Sequence, residues 1–502
     1  MICPDRTGLI LAYWPPSRAD VTGKKLGSVA RSTASLESWY ASPHLPPVSI
    51  SSNFSDSSSY YTVIDRLHNV FEPFPADSRV YVHLNDVRGG WDVKRVTGSR
   101  IKRSETPTCQ LYSGHRGVGK STELLRLKQW LEQECGFFVV YFAADQADVE
   151  PEDVSYADVI LACTRNLVQM VRLETNENPI LTWLGNRWGE FKDLVTSEVE
   201  FSSLTIEQKL FEFAKLSANL RAVPSIRAQV RKTVDAHTVS LVQAVNEFIG
   251  LATQQLQAQG KRGIVIMADN LDRITYLRSS EEARSNHEQI YLDRSEQMKG
   301  LNCHVIYTAP IALVCSRGIE VENRYGDCAD ILPMVVVQNR DGSLNLEGME
   351  AMRKILRLRV ETIDPNLAKA IETRLFESPE LLDLVCAMSG GHMRMLMQFM
   401  QKALDWTDVL PIQKRAVNRA LSSARQTYRD LINFDWWDEL ARVHGTKQLP
   451  RDNRSQQFLG DRCVLQYFEE DEEGEINEWF DVHPLIFKID LFQSALSRLQ
   501  GV

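Results

Sequence analysis

The sequence predicts an α/β chain: a parallel β-sheet flanked by helices, then a helical region, then a C-terminal domain of helices and a two-stranded hairpin. Three observations carry this. Short, wholly apolar runs recur between stretches of helical periodicity, which is the pattern of strands buried on both faces. The first such run ends in "GHRGVGKST", with three glycines, a lysine and two hydroxyls, before leucines resume at helical spacing. The final stretch, "RCVLQYFEEDEEGEINEWFDVHPLIFKIDLFQSALSRL", reads as strand, acidic turn, strand and helix, the order of the wing and adjoining helix of a winged-helix domain.

Length and composition set the frame. The 502 residues exceed what one hydrophobic core organises, so about two to four domains are expected. Hydrophobic residues at 43% and charged residues at 25% exclude fibrous and wholly disordered classes. A net charge of -9 removes any general electrostatic case for nucleic acid and leaves only local basic patches. The nine cysteines, Cys3, Cys109, Cys135, Cys163, Cys303, Cys315, Cys328, Cys386 and Cys463, contain no C-x-x-C pair and read as reduced thiols. Apolar runs such as "GLILAYW" and "GIVIMA" fall short of the ~18 residues a membrane span needs, and no signal-peptide pattern opens the chain. The expected location is the cytoplasm, without a membrane partner.

Taken in order, residues 1–60 are a Ser/Pro-rich leader, flexible by composition. "YYTVIDRLHNVF" predicts a helix, and "RVYVHLNDVRGGWDVKRV" a strand and turn. The sheet strands follow: "TCQLYS" (108–113), "GFFVVYFAA" (136–144), "KRGIVIMADN" (261–270), "NCHVIYTAP" (302–310) and "DILPMVVVQ" (330–338). After the first strand, Leu124, Leu127 and Leu131 share one helical face. A helical insertion occupies about 150–260, including a long helix from Ser225 to Gly260. The domain of 61–345 gives way to a helical lid, 346–410, and a winged-helix domain, 411–502.

Gly114, His115, Arg116, Gly117, Val118, Gly119, Lys120 and Ser121 satisfy G-x-x-x-x-G-K-[ST], and each fixed type has a chemical reason. Glycines let successive backbone N–H groups curl around phosphate oxygens, and the following helix presents its positive end to the same charge. Lys120 is expected to bridge the β- and γ-phosphates, Ser121 to ligate Mg²⁺, and Thr122 to lie near the α-phosphate. A phosphate loop also needs carboxylates to hold magnesium and orient water. "IVIMADNLDRI" supplies Asp269 for the metal and Asp272 for water. Thr308, at the end of the fourth strand, is the candidate γ-phosphate sensor. Arg273, Arg317 and Arg324 are candidate arginine fingers.

The order phosphate loop, "hhhhDNLD", helical lid and winged helix resembles the STAND class of P-loop NTPases, relatives of AAA+ and origin-recognition ATPases. "SGGHMRML" (389–396) is similar to the G-x-P signature of the STAND lid, with Met393 in place of proline; Arg394 lies where an AAA+ sensor-2 arginine would. "FDVHPLI" (480–486) resembles the "MHD" signature, with His483 matching its histidine and Pro484 replacing the aspartate. "NDVRGG" stands where the family carries an h-h-G-R-x-x-E box. The resemblance implies ATP and ADP with Mg²⁺ as ligands, with Arg394 and His483 among the residues binding them. It also implies a latch in which His483 approaches the ADP β-phosphate. Asn270 stands where many AAA+ ATPases carry a catalytic glutamate, so slow hydrolysis of ATP to ADP and phosphate is expected.

The resulting expectation is an ATP-dependent switch whose nucleotide state controls homo-oligomer assembly or engagement of a protein partner, in a bacterial signalling or phage-defence setting that the resemblance suggests. The alternative is a DNA-associated AAA+ ATPase of the origin-recognition or transposition-regulator type. Six acids in seven residues at the wing tip, Glu469 to Glu475, would repel a phosphate backbone and disfavour that alternative. Basic stretches at 93–103 and at Arg221, Arg227, Arg231 and Lys232 are read as solvated faces.

Overall fold

The five apolar runs meet edge to edge in the computed structural model, which describes residues 62–171, 173, 178–186, 204–213, 224–280 and 283–500. The predicted leader, Cys3 and Arg221 lie outside the described residues. Strands β1 (Cys109–Ser113), β2 (Phe138–Ala143), β3 (Ile264–Asp269), β4 (His304–Thr308) and β5 (Asp330–Ile331) form one parallel sheet in the order β2-β3-β4-β1-β5.

Alternate side chains of each strand feed two cores. Ile264, Ile266 and Ala268 of β3 join the cluster that holds Phe142, Ile160 and Phe248. Val265 and Met267 join the opposite one, with Leu124, Leu127 and Leu131. All three leucines are fully buried on the helix after β1, as their spacing predicts. We label the helices used below α1 (Val63–Val70), α2 (Lys120–Gln133), α3 (Pro224–Ala258, kinked at His237), α4 (Pro379–Met388), α5 (Met393–Leu404), α6 (Lys414–Leu431) and α7 (Asn453–Gly460).

The lid and the C-terminal elements share one hydrophobic cluster with α1, in which Leu67, Phe71, Leu382, Phe399, Leu440 and Phe492 are all buried. The winged-helix hairpin, β6 (Val464–Glu470) paired antiparallel with β7 (Ile476–Val482), has a different environment at each end. Its tip, 469–478, is exposed and acidic. Its base inserts Leu465, Tyr467 and Trp479 into the core beside the phosphate loop, where Tyr467 and Trp479 stack at 4.4 Å.

Two predicted strands are corrected. Residues 80–97 form no strand but a 3₁₀ turn at Asp86–Arg88 and a π-turn at Lys94–Gly98. The alternation there came from one-sided burial, since Val82 and Leu84 sit in the lid cluster without a ladder partner. In 330–338 only Asp330–Ile331 are strand. The rest stays extended, with Leu332, Met334 and Val336 in one core and Val335 and Val337 in another. The eight described cysteines are free thiols. No described helix is long and apolar enough to cross a membrane.

Candidate nucleotide-binding site

The site forms at the carboxyl ends of β1, β3 and β4, where the chain order of the sheet reverses and α/β folds leave a crevice. Gly114, Gly117 and Gly119 all take positive φ, which turns the loop's amides inward ahead of α2. Gly117 is further required by a close approach. A Cβ there would lie 2.6 Å from both Arg394 Cβ and His392 Cε1, so only glycine lets the lid settle on the loop.

Lys120 is 5% exposed and its Nζ donates to the carbonyls of Gly114 (2.7 Å) and His115 (3.0 Å). It also pairs with Asp272 Oδ2 at 3.0 Å. Asp272, expected to handle water, is in this conformation the counter-ion of the loop lysine. Asp269 is buried, accepting from Tyr141 Oη (2.8 Å) and from the Asn270 amide (2.7 Å). Burial raises its pKa above the usual carboxylate range, and the Ser121 hydroxyl is the largest influence in the other direction. The two expected magnesium ligands, Ser121 and Asp269, are therefore neighbours. A serine hydroxyl beside a buried carboxylate is a fitting donor set for Mg²⁺ with retained waters.

Other expected residues have local partners. Thr308 Oγ1 accepts from the Leu271 amide at 2.9 Å and faces the Ala268 carbonyl at 3.4 Å, so it ties β4 to the turn after β3. Thr122 Oγ1 accepts from the Ala76 amide at 3.1 Å. Of the three finger candidates, Arg273 is held by Asp145 (2.6 Å) and Arg317 by Glu288 (2.7 Å). Arg324 is exposed and has no ion pair to a described carboxylate within 4 Å.

Lid and wing both bond directly to the phosphate loop. His392 Nδ1 accepts from the Met395 amide (3.1 Å), capping α5, which puts its proton on Nε2; that nitrogen donates to the Arg116 carbonyl. The Arg394 amide donates to the Gly117 carbonyl at 3.1 Å. From the wing, the Gln466 amide donates to His115 Nε2 at 3.1 Å. Burial holds His115 neutral, its pKa lowered to about 3, with Lys120 the next cause. His483 is also buried. Its Nδ1 accepts from the Leu485 amide (3.2 Å), its ring stacks on Tyr428 (5.1 Å), and its buried Nε2 makes no well-formed hydrogen bond among the described residues, with the Ser389 backbone the group that acts on it. Burial lowers its pKa to about 3 as well, and the nearby Arg462 adds to this.

Three guanidinium groups, Arg116 from the loop, Arg394 from the lid and Arg462 from the wing, have no ion pair to a described carboxylate. Burial lowers the pKa of Arg116, whose Nε donates to the Asp272 carbonyl at 3.3 Å; of the charges acting on it the Asp272 carboxylate is the strongest and opposes the lowering, while Arg273 and Arg462 add to it. Burial lowers that of Arg394 too, with Arg273, Arg462 and Arg116 pushing the same way. Asp272 and Asp461 act on this group from beyond ion-pair distance, and cations gathered with no carboxylate in direct contact fit a polyanionic ligand. Sequence reasoning missed Arg462, His392 and Arg88. Arg88 is buried, donates from Nη2 to the Val118 carbonyl at 2.7 Å and leaves Nε unpaired. His392 and Arg88 stood in the quoted "SGGHMRML" and "NDVRGG", whereas nothing local marks Arg462.

A phosphate loop leading from an inner strand of a five-stranded parallel sheet into a helix defines the P-loop NTPase fold, and here a helical lid and a winged helix lie across that loop. No family model matches the chain, and neither does any curated protein. Among solved structures it is similar to Cdc6p from Pyrobaculum aerophilum at 9% identity, covering 86% of this chain and 98% of that one, with a TM-score of 0.36. The Aeropyrum pernix ORC1 protein in complex with DNA gives 14% identity, 86% and 96% coverage and a TM-score of 0.35. The ADP form of the A. pernix ORC2 protein gives 10%, 86% and 98%, and 0.37. Likeness at that level says nothing about ligand or activity, and the chemistry of the site is read from its own side chains.

Proposed function

We propose that the protein is an ATP-binding switch that hydrolyses slowly and whose nucleotide state controls how the lid and winged helix sit on the phosphate loop. The observation that carries this is the convergence of Arg116, Arg394 and Arg462, one from each of the three parts, on a loop that both lid and wing hydrogen-bond. Lys120 and the loop amides would hold the phosphates, and Ser121 and Asp269 the magnesium, which supplies charge neutralisation. Asn270 donates its side-chain amide to Asp145 at 2.7 Å, so no carboxylate acts from that position, in keeping with slow turnover.

Magnitudes say what the switch needs. Returning Leu465, Tyr467 and Trp479 to water would cost about 5–9 kcal/mol at about 1.5–3 kcal/mol each. A ligand at 100 times its Kd supplies about 2.7 kcal/mol. Nucleotide binding alone is therefore too weak to undock the base of the wing. Full opening requires a second surface that covers those side chains, either another copy or a protein partner. The test is particle mass with ADP and with ATP·Mg²⁺, for the wild type and Lys120→Ala. Assembly restricted to the wild type with ATP supports the reading; assembly indifferent to nucleotide or to Lys120→Ala rejects it.

A second reading, a DNA-associated ATPase, is favoured by one observation. Two basic stretches far apart in sequence meet on one face, where Arg262 Nη2 donates to the Lys102 carbonyl at 3.1 Å and Lys94 and Lys102 flank the Trp130 ring at 6.0 and 5.6 Å. Arg227 and Arg231 do not contribute, being paired with Asp153 and Asp158. Duplex binding that weakens with salt, and that Lys94→Glu, Lys102→Glu and Arg262→Glu together abolish, would support it. No binding at low salt would remove it.

A further inference from the structure

The expected reader of nucleotide in the winged helix, His483, spends Nδ1 on capping the turn Pro484–Lys488 and stacks against Tyr428. Arg462 is placed differently. It follows α7 and takes φ +62, the left-handed conformation that at the end of a helix belongs to glycine or asparagine. Its amide donates to the Leu459 carbonyl (3.2 Å), and its own carbonyl accepts the Tyr428 hydroxyl (3.3 Å), which pins the backbone. A non-glycine residue there costs about 1 kcal/mol or more, tolerated where the side chain is needed.

Among the described residues the Arg462 side chain has no ion-pair or hydrogen-bond partner. Its Nε is buried and makes no hydrogen bond, and no described carboxylate lies within 4 Å of the guanidinium, although the adjacent Asp461 is near enough to interact. Its charge is felt by His115 and Arg116 of the loop, by His392 and Arg394 of the lid, and by His483 of the wing. The Tyr428 hydroxyl that bonds the Arg462 carbonyl also reaches Met395 Sδ of the lid helix α5 at 3.8 Å, so this cation stands where wing and lid meet, at a position whose backbone prefers another residue.

We propose that Arg462 is the winged-helix residue that binds the phosphates of the nucleotide, coupling the wing to the loop, with His483 as a structural support behind it. This rests on the nucleotide reading above and names the residue through which the wing takes part. An anion between Arg116, Arg394 and Arg462 relieves the repulsion among them, so the closed arrangement tightens when a diphosphate is present.

Arg462→Gly provides the test because glycine suits the left-handed backbone and should leave the protein without nucleotide at least as stable as wild type. The measurements are thermal shift with ADP and protection of the lid and wing from limited proteolysis. The expected result is ADP affinity about ten-fold weaker or more, the scale of one charge-assisted hydrogen bond, together with loss of ADP-dependent protection. Arg462→Lys should recover part of both. An Arg462→Gly protein that binds ADP and is protected like wild type overturns the proposal while leaving the nucleotide reading intact. A wild type that shows no ADP shift would overturn both.

Discussion

His115 Nε2, inside the phosphate loop, accepts the backbone N–H of Gln466, on the wing strand, at 3.1 Å. The two residues are 351 apart in sequence, and the bond is a direct route by which the loop's shape can be felt in the winged helix. His115→Ala would leave the buried Gln466 amide without an acceptor, at a cost of about 1–3 kcal/mol to the docked wing. Amide hydrogen exchange at β6 should accelerate accordingly. Exchange there at the wild-type rate would show that the wing does not depend on this bond.

Gly391 makes a more severe demand. A Cβ there would stand 1.9 Å from the Val335 carbonyl oxygen, and φ is +76. Because backbone cannot move aside cheaply, Gly391→Ala should destabilise the protein by about 3 kcal/mol or more, read from the urea midpoint. Gly445→Ala is the control, since nothing lies within 4 Å and the site is helical. It should stabilise by about 0.5–1 kcal/mol.

Restoring a glutamate at 270 should not create a fast enzyme. Asn270 sits at φ +65, a conformation asparagine tolerates, and faces Asp145, which also pairs with Arg273. Asn270→Glu would set two carboxylates against each other on a strained backbone. A lower melting temperature with no rise in phosphate release is expected; faster release would contradict this geometry.

The buried histidines predict sensitivity to acid. His115 and His483 remain neutral in the fold, at pKa values lowered to about 3, whereas the unfolded chain takes up protons near pH 6.5. Between these values the unfolded state binds more protons, so stability is flat above about 6.5 and falls as pH drops towards 3. Each histidine should remove about 2 kcal/mol between pH 7 and 5. Besides burial, Lys120 and Arg462 act on His115, and Arg462 and His115 act on His483, while the backbone at Leu459 and at Ser389 opposes the lowering for each in turn. His483→Gln should flatten the pH dependence of unfolding by one such share, and an unchanged slope would count against a neutral buried imidazole.

What was legible in the sequence was local. The spacing of Gly114 to Ser121 and the apolar run into Asp269 needed no knowledge of distant contacts, because a loop that cradles phosphate and a strand buried on both faces each write their own pattern. Two lid helices carry an equally local signal, a proline in the first turn, at Pro365 and Pro379. Residues 80–84 and 332–337 misled because alternation records which sides are buried, not whether a neighbouring strand is present. Arg462 was invisible for the complementary reason: its role depends on the loop, the lid and the wing meeting, and only the folded chain brings them together.

The stretch 332–337 has one more consequence. Its alternate amides point along one edge but end on three different elements: Leu332 on the Ser113 carbonyl (2.9 Å), Met334 on Gln466 (3.3 Å) and Val336 on Val87 (2.9 Å). This segment therefore joins the phosphate strand, the wing and the turn at Asp86–Arg88 through its own backbone. Displacing the wing therefore has to break the Met334–Gln466 bond, and the strain falls on the same short backbone that is anchored to the phosphate strand on one side and to Val87 on the other.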